Sequence, residues 1–332
     1  MRRIRQLIRK RSLRWSERLL VVEGAELLSV ALDAGAPVES VYVAPEGHDS
    51  PAVEAVSSRA FEGGSRVFDL EPGVLERVAD TVTPQPVLAV VGFDPPDLGA
   101  LRQADLVVVC ADVRDPGNAG TLIRTADAAG ADGVVCCDGT VDPYNPKTVR
   151  ASAGSVFHLP IVAGGDVVSV VETLREFGLR TLGTVVRDGV EYDEVDLTER
   201  VALVFGNEAS GMGDEVLTAL DVAVTIPMAG RAESLNVSVS AAVLCFEVLR
   251  QRRQSAKSQS RPGRPGGTAG QSGQARQSGQ PGRRTDAGAT GSTMPEMETR
   301  PVGETTDGGS STSGGRSPSG GSGRPSGGSS PS

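Results

Sequence analysis

The chain is short of the residues that most catalysis leans on. It has two histidines, His48 and His158, in 332 residues, which leaves few candidates for a mechanism built on a histidine base. Its four cysteines are Cys110, Cys136, Cys137 and Cys245, each set in an apolar run such as VVVCAD or AVLCFEV, and none forms a C-x-x-C pair. With so little histidine to complete a ligand set, this pattern argues for buried reduced thiols rather than zinc. Aromatics are only 3% of the chain and Trp15 is its one tryptophan, so Val, Ala and Leu must fill the cores. No run of ~18 apolar residues occurs, and a helical membrane span is therefore not expected. The basic start, Met1 to Arg18, could pass for the n-region of a signal peptide. The apolar Leu19-Leu20-Val21-Val22 that follows is too short for an h-region, and Glu23 closes it. A cytoplasmic protein is expected.

Basic charge is scarce as well, except at the ends. The net charge is −9, yet the first 18 residues carry eight basic side chains and one acidic, and residues 255–332 carry nine basic and five acidic. Residues 19–254 therefore stand at −20. A nucleic acid would have to meet local basic patches on an acidic body, because distribution matters more than the sum.

From Ser255 to Ser332 the chain has no aromatic, no Leu and no Ile; Gly, Ser, Pro, Gln and Arg dominate. Such a segment cannot bury enough apolar surface to offset its chain entropy, and a disordered tail is expected over 255–332. Two folded regions precede it. In the first, from about residue 19 to 94, Leu27, Leu28, Ala31 and Leu32 form a helical stripe ended by Gly35. Val38 to Val43 alternates as a strand, and helices are expected near Ala52–Ser58 and Pro72–Val78. Strands are expected near Arg66–Phe68 and at Val87–Val91, with Asp94-Pro95-Pro96-Asp97 as a linker. The second region alternates strands, at Leu106–Ala111, Gly133–Cys137, Arg180–Val185, Val201–Phe205 and Val222–Ile226, with helices. The helices are expected at Ala119–Ala129, Pro146–Ala151, Val167–Phe177, Asp214–Ala219 and Val237–Gln251. Alternation with near-continuous apolar strands means an α/β fold whose parallel sheet is covered on both faces. Sites in such sheets lie beyond the carboxyl ends of the strands.

Three motifs fall at such ends. In the first, Asp112 to Gly130, Pro116 and Gly117 make a turn and Asn118 is suited to cap the next helix. Gly120 admits a close backbone or ligand, and Arg124 lies in the second turn, where an arginine can hold a phosphate bidentately. A capped helix with a surface arginine fits these residues as well. In the second, Gly206-Asn207-Glu208-Ala209-Ser210-Gly211 has P-loop spacing, but Met212 and Gly213 stand where Lys and Ser/Thr are required, and Glu208 would repel phosphates. A glycine turn facing a neutral or cationic ligand suits it better than a nucleoside triphosphate. In the third, a loop from Pro227 to Ser234 leads into an amphipathic helix with Val237, Ala241, Cys245, Val248 and Leu249 on one face, and Ser234 or Asn236 can cap it.

Together these resemble the three motifs of the SpoU/TrmH family of ribose methyltransferases. They are Asn118-x-Gly120-x-x-x-Arg124, Gly206-Asn207-Glu208-x-x-Gly211, and Ile226-Pro227-Met228-x-Gly230-x-x-x-Ser234-Leu235-Asn236-Val237-Ser238-Val239. Asp142-Pro-Tyr-Asn-Pro-Lys147 and Arg150-Ala-Ser-Ala-Gly154 also look like that family. Upstream, Val21-Val22-Glu23-Gly24 and Thr83-Pro84-Gln85 resemble its N-terminal substrate-binding domain, of the ribosomal-protein-L30e-like kind. Pro86 stands where many relatives have glycine. The resemblance spans about residues 4–253.

It implies a small α/β substrate-binding domain over residues 1–94 and a parallel-sheet SPOUT catalytic domain with a C-terminal trefoil knot over 104–254, a fold that patterning alone would argue against. It implies S-adenosylmethionine as cofactor, held by Gly206, Ile226 and Leu235 with Met228 beside them. It implies 2′-O-methylation of a ribose in rRNA or tRNA by a homodimer. Arg124 would position a phosphate and the 2′-OH and stabilise the developing alkoxide, since arginine holds its proton too tightly to serve as a base. Asn118 and Glu208 would orient Arg124 and the loops, and Ser234 and Asn236 would fix the loop and the cofactor tail. RNA alone offers the 2′-OH, so DNA is excluded as a substrate. An RNA-binding protein of the same fold without catalysis, and more distantly an enzyme for a small metabolite, remain the competing readings; S-adenosylmethionine binding separates them.

Overall fold

The computed structural model describes residues 1–79 and 83–259. Its first residues already fold. Ile4, Leu7 and Ile8 fall at helical spacing in α1 (Arg2–Arg9) and pack on Leu19, Val21, Leu88 and Val90. The first folded region thus begins at Arg2, not near residue 19, and α2 (Arg11–Glu17) carries the chain into its first strand. Four strands make a mixed sheet in the order β1-β4-β2-β3: β1 (Leu19–Glu23), β2 (Val38–Val43), β3 (Arg66–Asp69) and β4 (Val87–Gly92). β4 runs antiparallel to β1 and β2, and β3 lies parallel to β2. Helices α3 (Ala25–Asp33), α4 (Pro51–Glu62) and α5 (Val74–Val78) complete this lobe. The expected stripe of α3 buries Leu27, Leu28 and Ala31, and Gly35 makes the turn after it at a φ of 71°.

The second lobe is a seven-stranded sheet in the order β7-β6-β5-β10-β8-β11-β9. Its strands are β5 (Leu106–Cys110), β6 (Gly133–Cys136), β7 (Ile161–Ala163), β8 (Arg180–Val185), β9 (Val190–Glu191), β10 (Val201–Phe205) and β11 (Val222–Thr225). Every neighbouring pair is parallel. β5 and β10 are buried along their whole length. One face (Leu106, Val108, Cys110, Leu203, Phe205) packs under α6 (Pro116–Ala129) and α10 (Val237–Gln259). The other (Val107, Val109, Ala202, Val204) packs under α8 (Val167–Glu176). α7 (Pro146–Ala151) and α9 (Asp214–Ala219) fill the remaining connections. Two edge strands, β7 and β9, were not expected; three and two residues are too few to show a period.

The largest shift at the end of the fold is in its last helix. α10 was expected to stop at Gln251 and continues to Gln259. Six of the eight residues of its extension are Arg, Gln, Ala or Lys, which favour helix without an apolar stripe, and the Gln251 side chain ties its start to Leu197 N and Val195 O at 2.8 and 3.0 Å. The expected disordered tail therefore cannot begin at Ser255, and the rest of that expectation lies outside the described residues.

The lobes join through a buried ion pair. Arg14, 2% exposed, donates to Asp142 Oδ2 from Nε and Nη2 at 2.9 and 2.5 Å, and from Nη1 to the carbonyls of Leu7 and Ile8. Asp142 Oδ1 accepts from Trp15 Nε1 and from Tyr144 N, both at 3.1 Å. Around this pair the chain gathers three of its few aromatics. Phe93 stacks on Tyr144 with centroids 3.8 Å apart, and Trp15 meets both edge-on at 5.6 Å. Gly154 completes the fit, since a Cβ there would lie 2.5 Å from Val30 Cγ1 on α3. The segments Asp142–Lys147 and Arg150–Gly154 thus serve, at least in part, as the seam between lobes.

Candidate active site

A cavity of about 370 Å³ opens at the carboxyl ends of β8, β10 and β11, the position an open parallel sheet reserves for ligands. Gly206, Glu208, Ile226, Met228, Ser234 and Leu235 line it, together with Val185, Val224, Glu233 and Val237. Among the described residues its walls include two carboxylates and no Lys, Arg or His. A phosphate-bearing cofactor would find no countercharge there. An uncharged ring system joined to a cationic centre would find aliphatic side chains, hydrogen-bonding groups and two carboxylates.

The Gly206 turn is closed on itself. Asn207 N donates to Gly211 O at 3.1 Å and Gly211 N returns to Asn207 O at 2.9 Å. Asn207 Oδ1 accepts from Ala209 N and Ser210 N. A Cβ on Gly206 would sit 2.6 Å from Met212 Cγ and 2.8 Å from the Gly211 carbonyl, so no side chain fits without moving the turn. From outside, Asn207 Nδ2 donates to the carbonyl oxygen of Asp112 at 3.0 Å and to its carboxylate at 3.3 Å. Asp112 adopts a φ of 65°, a region open to Asp but uncommon without glycine. Neither Asp112 nor Asn207 was expected from sequence to have a role of its own. The signal was available, because both follow the carboxyl ends of adjacent strands.

The three motifs meet in one hydrogen-bonded relay. Asn118 Nδ2 donates to Glu208 Oε1 at 2.9 Å, and Asn236 Nδ2 donates to Asn118 Oδ1 at 2.9 Å. Asn236 Oδ1 accepts from Ser238 N and Ser238 Oγ, so Asn236 also caps α10. Asn118 was expected to cap α6 and does not. Asp115 does so, accepting from Asn118 N at 2.8 Å, and Pro116 takes the first helical position, which proline favours. The correction frees the Asn118 carboxamide to bridge two loops. Gly120 admits another backbone rather than a ligand: a Cβ there would lie 2.5 Å from Thr148 O and from Ala151 Cβ of α7.

Two expected residues stand apart from the relay. Ser234 lines the cavity but makes no hydrogen bond among the described residues. Arg124 is exposed on the solvent side of α6, with Thr121 and Ala128, and is not part of the cavity wall. It has no hydrogen bond or ion pair among the described residues. The four thiols are free and buried. Burial pushes Cys137 and Cys245 up to about 12. A hydrogen bond with Cys136, together with burial, raises Cys110. These three are not ready nucleophiles.

A closed glycine turn, a strand-end cavity with two carboxylates and no cation among its described walls, and a relay joining three loops point to a ligand-binding α/β enzyme. Comparison narrows the class. Residues 105–246 match the SpoU rRNA Methylase family and residues 1–89 match the MRM3-like substrate binding domain. The chain is 36% identical over 228 residues to the 23S rRNA (guanosine(2553)-2'-O)-methyltransferase RlmP of Bacillus subtilis, covering 69% of this chain and 87% of that one. It is 34% identical over 240 residues to the 23S rRNA (uridine(2479)-2'-O)-methyltransferase of Streptomyces viridochromogenes, covering 70% and 83%. The crystal structure of the SpoU methyltransferase AviRb from Streptomyces viridochromogenes, in complex with the cofactor AdoMet, superposes with a TM-score of 0.68 at 30% identity, covering 76% of this chain and 97% of that one. The chain belongs to the SpoU rRNA methylase family.

Proposed function

We propose that this enzyme methylates a ribose 2′-OH of 23S ribosomal RNA, with S-adenosylmethionine as methyl donor. The observation that carries the reading is the cavity at the strand ends, lined by aliphatic and polar side chains with two carboxylates and no cation among its described walls, and joined through Glu208 to Asn118 and Asn236. Its walls fit the cofactor: Gly206, Ile226, Met228 and Leu235 would hold the adenosine, and the two carboxylates suit a cation. When bound, the cofactor supplies an electrophilic methyl group on its sulfonium. The chain's own residues do the rest. Asn118 and Glu208 fix the α6 start against the glycine turn, and Ser234 and Asn236 fix the loop before α10. Arg124, exposed and unpaired among the described residues, binds the RNA phosphate beside the target ribose and steadies the alkoxide as the 2′-OH loses its proton. DNA lacks the hydroxyl and is not a substrate.

Residues 1–94 act as the RNA-selecting domain and residues 104–254 as the catalytic domain, whose chain carries a trefoil knot. The interleaved strand order supports the knot: β10 lies between β5 and β8, and the chain leaves β11 to end on α6. The enzyme acts as a homodimer. Val239 and Phe246, each 47% exposed, fall on one face of α10 with Val243 between them, an apolar stripe without cover. Light scattering that reads a monomer at micromolar concentration removes the dimer. A cytoplasmic place of action follows from the ribosomal substrate and suits four reduced thiols.

The test is transfer of labelled methyl to unmodified 23S rRNA, with nuclease digestion and mass spectrometry of the product. A 2′-O-methylnucleoside is expected; transfer to a base, or none, overturns the reading.

A further inference from the structure

A second cavity, about 390 Å³, lies at the seam between the two lobes and plays no part in the relay. Val21, Leu27, Leu88 and Val141 give it an apolar floor, and Arg9, Lys147 and Arg150 stand around it. Both lobes contribute, from α1, β1, α3 and β4 on one side and from the stretch 141–150 on the other. Pro116, the first residue of α6, is part of the wall, two positions before Asn118. Its one carboxylate, Glu23, is engaged by Arg150 at 3.2 Å and by Gln85 N at 3.0 Å.

Cations gathered here call for an explanation, because residues 19–254 carry a charge of −20. Nor is the basic N-terminus simply an array of free cations. Arg14 is buried on Asp142, Arg3 pairs with Glu17 and Glu39, and Arg5 donates to the Arg77 carbonyl. Arg11 and Arg18 lie over the Trp15 ring. Arg9 has no such commitment among the described residues, and it faces this cavity.

An apolar floor with a cationic rim matches one nucleotide of a single strand: a base face buried on aliphatic side chains and a phosphate on guanidinium or ammonium groups. Sequence-specific RNA recognition works mostly on such splayed nucleotides. We propose that the seam cavity binds an unstacked nucleotide of the RNA substrate, near the methylated one but distinct from it, and so helps select the site. The inference rests on the ribosomal RNA reading above and adds to it a place and a chemistry. The seam position has a consequence: the cavity exists only while the lobes are docked, so substrate selection depends on the Arg14–Asp142 pair.

The test uses the full chain and unmodified 23S rRNA. Arg9→Glu and Lys147→Glu are compared with Arg253→Glu, the same charge change on an exposed residue of α10. Arg9→Glu and Lys147→Glu should each raise KM for the RNA roughly tenfold or more, the loss expected of one charge-assisted hydrogen bond. The turnover at saturating RNA and the S-adenosylmethionine Kd should stay within about twofold. The salt slope of RNA binding should fall by about 0.7–0.9 for each phosphate left without its cation. Arg253→Glu should do much less. Photo-crosslinking with 4-thiouridine-substituted RNA should mark the peptide spanning residues 141–147. Equal KM values for the seam and α10 variants overturn the inference while methyl transfer by the wild type leaves the functional reading standing. Should the wild type bind 23S rRNA without methylating it, filter binding of the same variants decides the seam alone. A wild-type chain that binds no 23S rRNA overturns both.

Discussion

Two cavities of nearly equal volume, about 370 and 390 Å³, are built from opposite materials. The one at the strand ends has carboxylates and no cation among its described walls, and loops of a single sheet enclose it. The one at the seam has three cations, aliphatic side chains and one carboxylate, Glu23, paired with Arg150, and two lobes enclose it. The first suits a small cationic ligand, whose affinity should change only modestly with salt. The second suits a polyanion, whose affinity depends on salt. Catalysis needs both ligands at once, and the start of α6 lies between them: Pro116 walls the seam cavity, while Asn118, two residues on, hydrogen-bonds to Glu208 of the other. What the contrast teaches is a division of labour, with cofactor binding kept inside one lobe and RNA reading placed where the lobes meet.

The strongest way to break that division is at Asp142. Asp142→Ala leaves the Arg14 guanidinium buried and unpaired, a change that typically costs about 3–5 kcal/mol. The melting temperature should fall by roughly 10 °C, and RNA selection should fail before cofactor binding does. Replacing both partners together, Arg14→Met with Asp142→Leu, should recover much of the loss. Calorimetric melting of the three variants checks this; a single variant as stable as the wild type would show that the pair does not hold the lobes.

Arg124 tests the exposed face of α6, off the walls of both cavities. Arg124→Ala should lose about 10²–10³ in single-turnover rate, the usual consequence of removing one donor to a developing oxyanion. S-adenosylmethionine affinity should hold, since Arg124 is off the cavity wall. Arg124→Lys should recover only part, because a point charge does not reproduce the planar fork. Near wild-type transfer by the Ala variant would reduce Arg124 to a surface residue on a capped helix.

Gly206→Val addresses the strand-end cavity alone. The new Cβ meets the Gly211 carbonyl at 2.8 Å, so the turn must shift. Titration calorimetry should show the S-adenosylmethionine Kd raised on the order of tenfold, with the salt dependence of RNA binding unchanged. Equal affinity in the variant would sink the assignment of this cavity to the cofactor.

Much of this arrangement could be read from residues alone. Strand β10 at Val201–Phe205 and helices α7 and α9 stand where apolar runs and proline or acidic starts put them. What escaped has physical causes. The Asn118 cap was misassigned because Asp115 and Asn118 are both good caps, and Pro116 at the first helical position was the deciding signal. The α1 stripe of Ile4, Leu7 and Ile8 was hidden among arginines. The seam was out of reach, since Arg14 and Asp142 are 128 residues apart and no local pattern pairs them. Gly206, Ile226, Met228 and Leu235 were tied to one pocket only through the family resemblance, and they do share one. Arg124 is the exception: its motif is intact, yet in a single chain it lies off the cavity wall.

The smallest effect is on the acid sensitivity of the lobe that holds the strand-end cavity. Three carboxylates held below their usual range belong to the seven-stranded lobe: Glu247, Asp196 and Asp221. Glu247 is held down chiefly by its hydrogen bond from Arg250, against the opposing effect of burial, and Gln251 adds a second donor. At Asp221 burial pushes upward, but hydrogen bonds from Thr181 and the nearby Arg175 outweigh it. A carboxylate depressed in the folded state contributes stability above its unfolded value, near 4.5 for a glutamate, and loses that contribution as pH falls through the folded value. The acid limb of stability should therefore begin below about pH 4.5 and weigh on α10, which carries the apolar stripe and follows the cavity loop. Glu247→Gln keeps an acceptor for Arg250 but removes the charge, so at neutral pH it should lower the melting temperature only slightly, Arg250 being half exposed. Its melting temperature should fall less steeply with acid than that of the wild type. Melting both proteins between pH 3 and 7 reads the difference. Parallel acid limbs would mean that Glu247 titrates alike in the folded and unfolded chain, and that the acid sensitivity of this lobe rests on Asp196 and Asp221 instead.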